Sequence, residues 1–421
     1  MTTPALDTAA YLDVAAPGFS ATSPEVREAR DRSWFAWTDH GIAVLRYEEA
    51  RSLLKHSKLR PGFPTYLANN GITEGPLPQW VQSWTLHQEG EAHLRLRRLL
   101  NPAFSSKLIS SLNARFHKLT VELADAFAPT GECEFMAEFA EPYAARVIAI
   151  LLGLPEGEWA LIAREAATLG RALTVTVRED LPKIEAALQA LYEYADRVIE
   201  DRRSRPQDDF VSVLVQAERE DNGLSGDELR DTLVFLVFAG FETTRNQLGL
   251  AMQTFLDHPD QWRLLGEQPE LGGKAVEEVM RVNPITRWTS REAKETFEFQ
   301  GLEITAGSTL LVFIESAGTD PLVFGEPRFD ITAERKPQLG FGGGMHYCMG
   351  QFVARADMGL ALPLLAQRMR DSRPAGPATM LPDSGNTGPV TLPIAFTPAA
   401  TDHSRRSEGH AVHAVCPFGK G

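Results

Sequence analysis

Short apolar runs, helical spacings and unpatterned stretches succeed one another along the chain, and each change of pattern marks an element. Trp34-Phe35-Ala36-Trp37 and Ile42-Ala43-Val44-Leu45 flank the turn-like Asp39-His40-Gly41 and predict a hairpin. A helical period takes over from Tyr47 to Leu54. From Arg60 to Gly90, Gly, Pro and Asn punctuate the sequence without sustained periodicity, which predicts a long loop carrying Trp80 and Trp84. Helical spacing returns at Glu91–Leu99 and dominates from Leu108 to Glu218, broken at Leu151–Pro155 and Arg205-Pro206. Ser225-Gly226-Asp227-Glu228 is a capping-box start, and the pattern then runs without proline to His258-Pro259, predicting one long central helix. A second hairpin is expected from Phe297-Glu298-Phe299-Gln300-Gly301 into Ser308–Ile314, and a last long helix from Gln351 towards Met369. The fold class is therefore mainly α with small β-sheets, and no internal repeat appears.

Composition narrows the function. A chain of 421 residues with 43% hydrophobic content can bury a large core. The net charge of -14 argues against a nucleic-acid partner, whose phosphates call for excess Lys and Arg. Cys133, Cys348 and Cys416 are far apart and odd in number, so they give no disulfide framework and suit a reducing cytoplasm. Met1 to Ser23 does not read as a signal peptide, and the richest apolar run, Leu233 to Phe241, is too short to span a bilayer and ends on Glu242. A cytoplasmic protein without a membrane partner is expected.

The chemistry concentrates in Phe341-Gly342-Gly343-Gly344-Met345-His346-Tyr347-Cys348-Met349-Gly350, a glycine-rich loop opening onto the last helical pattern. Its glycines allow turns closed to other residues and a close approach to a flat ligand. Cys348 stands at a helix mouth, where free N–H groups and the helix dipole favour a thiolate, which is an iron ligand. A buried structural cysteine is the alternative from composition alone. Earlier in the chain, His93 and Arg97 share one helical face and suit a pair of carboxylates, although such a cluster is more commonly a solvated basic face. In mid-helix, Ala239-Gly240-Phe241-Glu242-Thr243-Thr244 brings small residues and hydroxyls that weaken the helix interior. Glu278 and Arg281 lie one turn apart and can pair bidentately, leaving Glu277 to solvent.

Phe-Gly-x-Gly-x-His-x-Cys-x-Gly resembles the haem-binding loop of the cytochrome P-450 monooxygenases, and the resemblance covers about Pro17 to Phe396. It implies a catalytic domain over residues 1–396, with the haem between the long central helix and the cysteine-loop helix. Residues 397–421, with His410, His413 and Cys416, are expected to be a disordered extension or, less simply, a metal site. Haem b, noncovalent because no Cys-x-x-Cys-His occurs, would take Cys348 as its axial iron ligand. His346, Arg291, His93 and Arg97 would meet its propionates, Phe341 would pack near the sulfur, and Gly342, Gly350, Ala239 and Gly240 would border it. Glu242 and Thr243 would relay protons for monooxygenation, in which one atom of dioxygen enters a small organic substrate, by hydroxylation or epoxidation for instance, and the other leaves as water. The loop with Trp80 and Trp84 would cap the substrate pocket, unless both are core anchors. Phe235, Phe238, Ile285, Thr286 and Val390 are its candidate lining, the last in a hairpin at Gly388–Pro393. Arg287 and Trp288 lie near it and would favour an aromatic or carboxylate-bearing molecule, unless Arg287 is exposed. Electrons are expected from a separate ferredoxin or flavodoxin, met by Arg95 and Arg98. A peroxide-driven peroxygenase and a haem-thiolate sensor remain as alternatives. Two departures stand out: Gly318-Thr319 replaces the family's Asn-Arg before Asp320-Pro321, and the arginine expected at Ala333 lies two residues later, at Arg335.

Overall fold

Helices α1 (Pro24–Arg32) and α2 (Tyr47–Leu53) enclose the hairpin of β1 (Phe35–Thr38) and β2 (Gly41–Val44), closed by the pair Thr38 and Gly41. The computed structural model describes residues 9–16, 18–174, 176–219, 223–326, 328–381 and 385–398; His410, His413 and Cys416 lie outside them. After the hairpin come β3 (Leu59–Pro61), α3 (Phe63–Asn69), α4 (Pro76–Ser83), α5 (Gly90–Leu100), α6 (Ser106–Phe127), β4 (Glu132–Glu134), α7 (Glu141–Leu152), α8 (Trp159–Gly170), α9 (Val177–Ser204) and α10 (Phe210–Ala217). The long central helix is α11 (Gly226–Asp257), started by the expected capping box: Ser225 accepts from the Glu228 N–H and Glu228 from the Ser225 N–H. Then follow α12 (Pro259–Glu267), α13 (Gly272–Val282), β5 (Trp288–Ala293), β6 (Phe297–Phe299), β7 (Leu302–Ile304), β8 (Thr309–Phe313), α14 (Ile314–Gly318), α15 (Pro321–Phe324) and α16 (Gln351–Arg368). β9 (Met369–Pro374), β10 (Thr379–Met380), β11 (Pro389–Thr391) and β12 (Pro393–Pro398) end the described chain, so regular structure runs two residues past Phe396.

Residues 60–90, expected as one loop, hold β3, α3 and α4. The prolines of α3 and α4 sit in the first helical turn, where a missing N–H costs nothing, so they start helices instead of breaking them. Gly75 (φ 108°) turns the chain into α4, and Leu77, Trp80 and Val81 then bury one face of it. Each such aliphatic side chain contributes about 1.5–3 kcal/mol. Trp80 also donates from Nε1 to the Asp231 carbonyl of α11 at 3.3 Å, so both tryptophans are core anchors that dock this segment on the central helix.

The second hairpin also differs. Strand β6 turns back at Gln300-Gly301 into β7, and β8 instead joins the main sheet, ordered β1-β2-β8-β5-β3. There β8 runs parallel to β2 and antiparallel to β5, its residues Leu310, Val312 and Phe313 fully buried, which a two-stranded ribbon would not allow. Around α11 pack α7, α8 and α9, while α16 packs against α6 and α13. The site lies between α11 and the loop that precedes α16.

Candidate active site

A cavity of about 370 Å³ separates the middle of α11 from the cysteine loop, and both contribute to its walls. The loop is shaped by Gly342 (φ 73°) and Gly344 (φ 67°), in a conformation costly for other residues. At Gly344 a side chain would also come within 3.2 Å of the Lys55 backbone. The Cys348 N–H donates to the Phe341 carbonyl at 3.0 Å and closes the loop, leaving the sulfur on the cavity wall. Cys348 is exposed, and it lines the cavity. Burial pushes its thiol up, against the pull of the Gly350 and Gln351 N–H groups and of Arg97 and Arg355. The helix-mouth effect expected from the sequence operates, and desolvation outweighs it.

Phe341 is buried under the Arg355 guanidinium, 4.5 Å above its ring. Arg355 in turn holds Glu277 at 2.5 Å, so Glu277, expected in solvent, is half-buried in an ion pair that braces the loop.

Four bases converge at one end of the cavity. His93 is buried and meets His346 edge-to-face at 4.9 Å. Arg97 donates to the Tyr347 carbonyl at 2.8 Å, and Arg291 to the Ser290 carbonyl at 2.9 Å. Burial lowers Arg291 to about 10, and burial with its basic neighbours lowers His346 to about 4. Both ring nitrogens of His346 and Nδ1 of His93 are shut away without a hydrogen-bond partner. Buried polar atoms are normally paired. Four bases with three orphaned nitrogens, beside one sulfur and apolar walls, fit a flat ligand carrying carboxylates at one edge. Haem meets that description with its iron and two propionates.

On α11, Ala239, Gly240 and Thr243 line the cavity. The Thr243 hydroxyl donates to the Ala239 carbonyl at 2.7 Å, yet the helix runs unbroken. Gly240 is glycine for a packing reason: a Cβ there would stand 2.5 Å from Cδ1 of Ile148 on α7. Glu242 does not face the cavity. Its carboxylate lies against Gly170 of α8, where a Cβ would come within 2.9 Å of it, and accepts from Asn246 Nδ2 at 2.7 Å. Burial raises its pKa, opposed mainly by Arg245. Successive helix residues point about 100° apart, and here that rotation puts Glu242 on the α8 side of α11 and Thr243 on the cavity side.

Phe235, Ile285 and Thr286 line the cavity, while Phe238 and Val390 do not. Phe238 packs on Trp80 and Trp84 instead, and Val390 is 40% exposed because β11 pairs with β10 away from the site. Arg287 is buried in an ion pair with Glu315 at 2.6 Å, and Trp288 stacks on Phe313, both off the cavity. They are therefore unavailable to choose a substrate. Sequence reasoning missed Gly62, Phe63, Thr85 and His87, all from the stretch read as a loop, together with Val147, Ile148 and Leu151 of α7.

Behind the site, Arg281 clasps Glu278 bidentately at 2.6 and 2.7 Å, and Arg335 comes within 3.6 Å of the same carboxylate. Arg281 also donates to the Gly318 carbonyl at 2.8 Å. Gly318 has no room for a side chain, because a Cβ would meet the Arg281 carbonyl at 2.2 Å.

Residues 167–268 and 270–383 match the family model described as Cytochrome P450. The luteothin monooxygenase of Streptomyces thioluteus is 37% identical over 390 residues, 92% of this chain and 96% of that one. The mycinamicin IV hydroxylase/epoxidase of Micromonospora griseorubida is 33% identical over 84% of this chain and 89% of its own. Among solved structures, CalO2 superposes with a TM-score of 0.82 at 28% identity, covering 91% of this chain and all of that one.

Proposed function

The chain belongs to the cytochrome P450 superfamily and is a monooxygenase, and we propose that it hydroxylates or epoxidises a largely apolar small molecule with haem b and electrons from a separate ferredoxin or flavodoxin. The observation that carries this reading is the joint placement of Cys348, the four bases and Thr243 on one cavity. The names of the relatives, a monooxygenase and a hydroxylase/epoxidase, support an oxygenation in secondary metabolism.

In this reading Cys348 Sγ would hold the haem iron, Arg97 and Arg291 would neutralise the propionates, and His93 and His346 would hydrogen-bond them. Haem bound there supplies the activation of dioxygen and the insertion of one oxygen atom into the substrate. Gly342 and Gly350 on the cysteine loop and Ala239 and Gly240 on α11 line the cavity and would border the bound haem. Phe235, Ile148, Leu151 and Ile285 exclude water and leave an apolar chamber for the substrate. The Thr243 hydroxyl gives its single proton to the Ala239 carbonyl, so it turns a lone pair to the cavity. Delivering a proton inward requires that bond to break. Glu242 is the reserve acid: its burial favours the protonated form, and a change of rotamer must bring it from Gly170 towards the threonine.

The test is the absorbance of the reduced, carbon-monoxide-bound protein. The wild type should give the red-shifted band of a thiolate haem, and Cys348→Ala should lose it. A variant that keeps the band overturns the assignment.

A further inference from the structure

Most polar side chains on the substrate side of the cavity already bond within the protein. Gln247 donates to the Asn283 carbonyl at 3.1 Å and accepts the Ile285 N–H at 2.9 Å. Thr286 bonds Asn386 at 3.0 Å, Thr289 accepts from Arg291, and Thr243 is tied to Ala239. His87 is different. It lines the cavity, its Nε2 is sealed from water, and that nitrogen has no hydrogen-bond partner. A buried polar atom left unpaired is costly and normally marks a missing partner.

The imidazole is also held still. Its ring stacks on Trp84, with centroids 5.6 Å apart and planes 21° apart, and on Phe63 at 6.2 Å and 16°. Trp84 is wedged in turn against Phe235 of α11 at 5.1 Å. The His87 N–H donates to the Trp84 carbonyl at 2.8 Å, so the backbone is pinned where α4 ends. Burial, then His346 and Arg291, lower its pKa to about 3, which leaves a neutral ring with one donor and one acceptor nitrogen.

Resting on the function proposed above, we propose that His87 is a specificity-determining residue that hydrogen-bonds an uncharged oxygen, a carbonyl or a hydroxyl, on an otherwise apolar substrate. A neutral donor and acceptor suits a neutral oxygen. The nearby cation, Arg291, belongs with His346 to the carboxylate-binding end, and the remaining wall offers a carboxylate no counter-charge. An aromatic platform that fixes one imidazole acts as a register mark: it sets which carbon of a long apolar molecule reaches the chemistry.

The test uses the ferric holoenzyme and a series of phenylalkanones with the carbonyl at successive positions, each paired with the phenylalkane of equal length. Binding is read from the absorbance shift as the water ligand of the haem is displaced. At least one ketone should bind about tenfold or more tighter than its hydrocarbon, as expected for one satisfied buried hydrogen bond. His87→Phe, which keeps the stack, should abolish that preference and bind the hydrocarbons as the wild type does. His87→Gln should retain much of the preference. A wild type that prefers no ketone, or a preference that survives in His87→Phe, overturns the proposal. So does faster haem transfer from His87→Phe to apomyoglobin, which would make His87 a propionate contact. If the wild type itself lacks the thiolate-haem band, both this inference and the proposed function fall, whereas a lost preference in a protein with that band counts against His87 alone.

Discussion

Thr243 and Glu242 are neighbours in sequence that face different parts of the molecule, one the cavity and the other the buried contact with α8. Their types and spacing were legible in the sequence; their directions were not, because adjacent helical positions diverge by about 100° and only the packing of α8 tells which side is which. Thr243→Ala should leave the thiolate-haem spectrum intact while product formed per reduced nicotinamide falls, with product formation slowed by about 10² or more. An unchanged ratio would mean that protons reach the site by another route. Glu242→Gln has a separate, thermodynamic signature. The folded-state pKa of Glu242 lies above its usual 4.5, so proton binding favours the fold. That contribution is complete below the usual value and is lost as pH rises through the folded-state pKa. Glutamine does not titrate, so the variant should gain stability on the wild type as pH climbs above 4.5. Urea unfolding of both proteins at a series of pH values checks this, and parallel stability curves would refute it.

At the level of elements, the long helices, the first hairpin and the cysteine loop could all be read from local pattern. What local pattern hid were contacts between segments distant in sequence. Residues 60–90 looked punctuated because Pro64 and Pro76 begin helices whose stability comes from docking, α4 on α11 and α9 and α3 on α4. Likewise β8 was assigned to the wrong partner, since its pairing with β2 joins residues more than 250 positions apart, and nothing in its own sequence names that partner. Val390 and Phe238 failed as pocket residues for the same reason. Gly240 shows how close these inter-element contacts are. Gly240→Ala drives a methyl into Ile148 Cδ1 and should destabilise by about 1–3 kcal/mol through overpacking. Adding Ile148→Val removes that carbon and should recover most of the loss. Chemical denaturation of the two single variants and the double variant decides it: additive losses would show that the methyl is not what matters.

Across the whole molecule, a net charge of -14 sets a problem for any acidic electron donor, which the overall field repels. Docking then has to depend on a local departure from that field. Arg95, expected to help, is occupied: it donates to the Gly223 carbonyl at 2.5 Å and is paired with Glu228 at the start of α11. Arg98 on the same helix is exposed, and no shared ion pair ties it down among the described residues. Beside α5 the cysteine loop and the start of α16 expose Met345 (49%) and Phe352 (41%), with Leu94 (52%) on α5 itself. If the donor is a separate ferredoxin, as proposed, these apolar residues and Arg98 beside the cysteine loop would form its docking face, the apolar contacts holding the complex and the charge guiding it. Arg98→Glu should therefore slow reduction by a ferredoxin at low ionic strength while leaving substrate binding unchanged. The gap between variant and wild type should close as salt rises, because at about 0.15 M charges more than about 8 Å apart are already screened. Stopped-flow reduction across a salt series measures both effects. A deficit that persists at high salt would mean that Arg98 acts through direct packing, and no deficit at any salt would place the donor on another face.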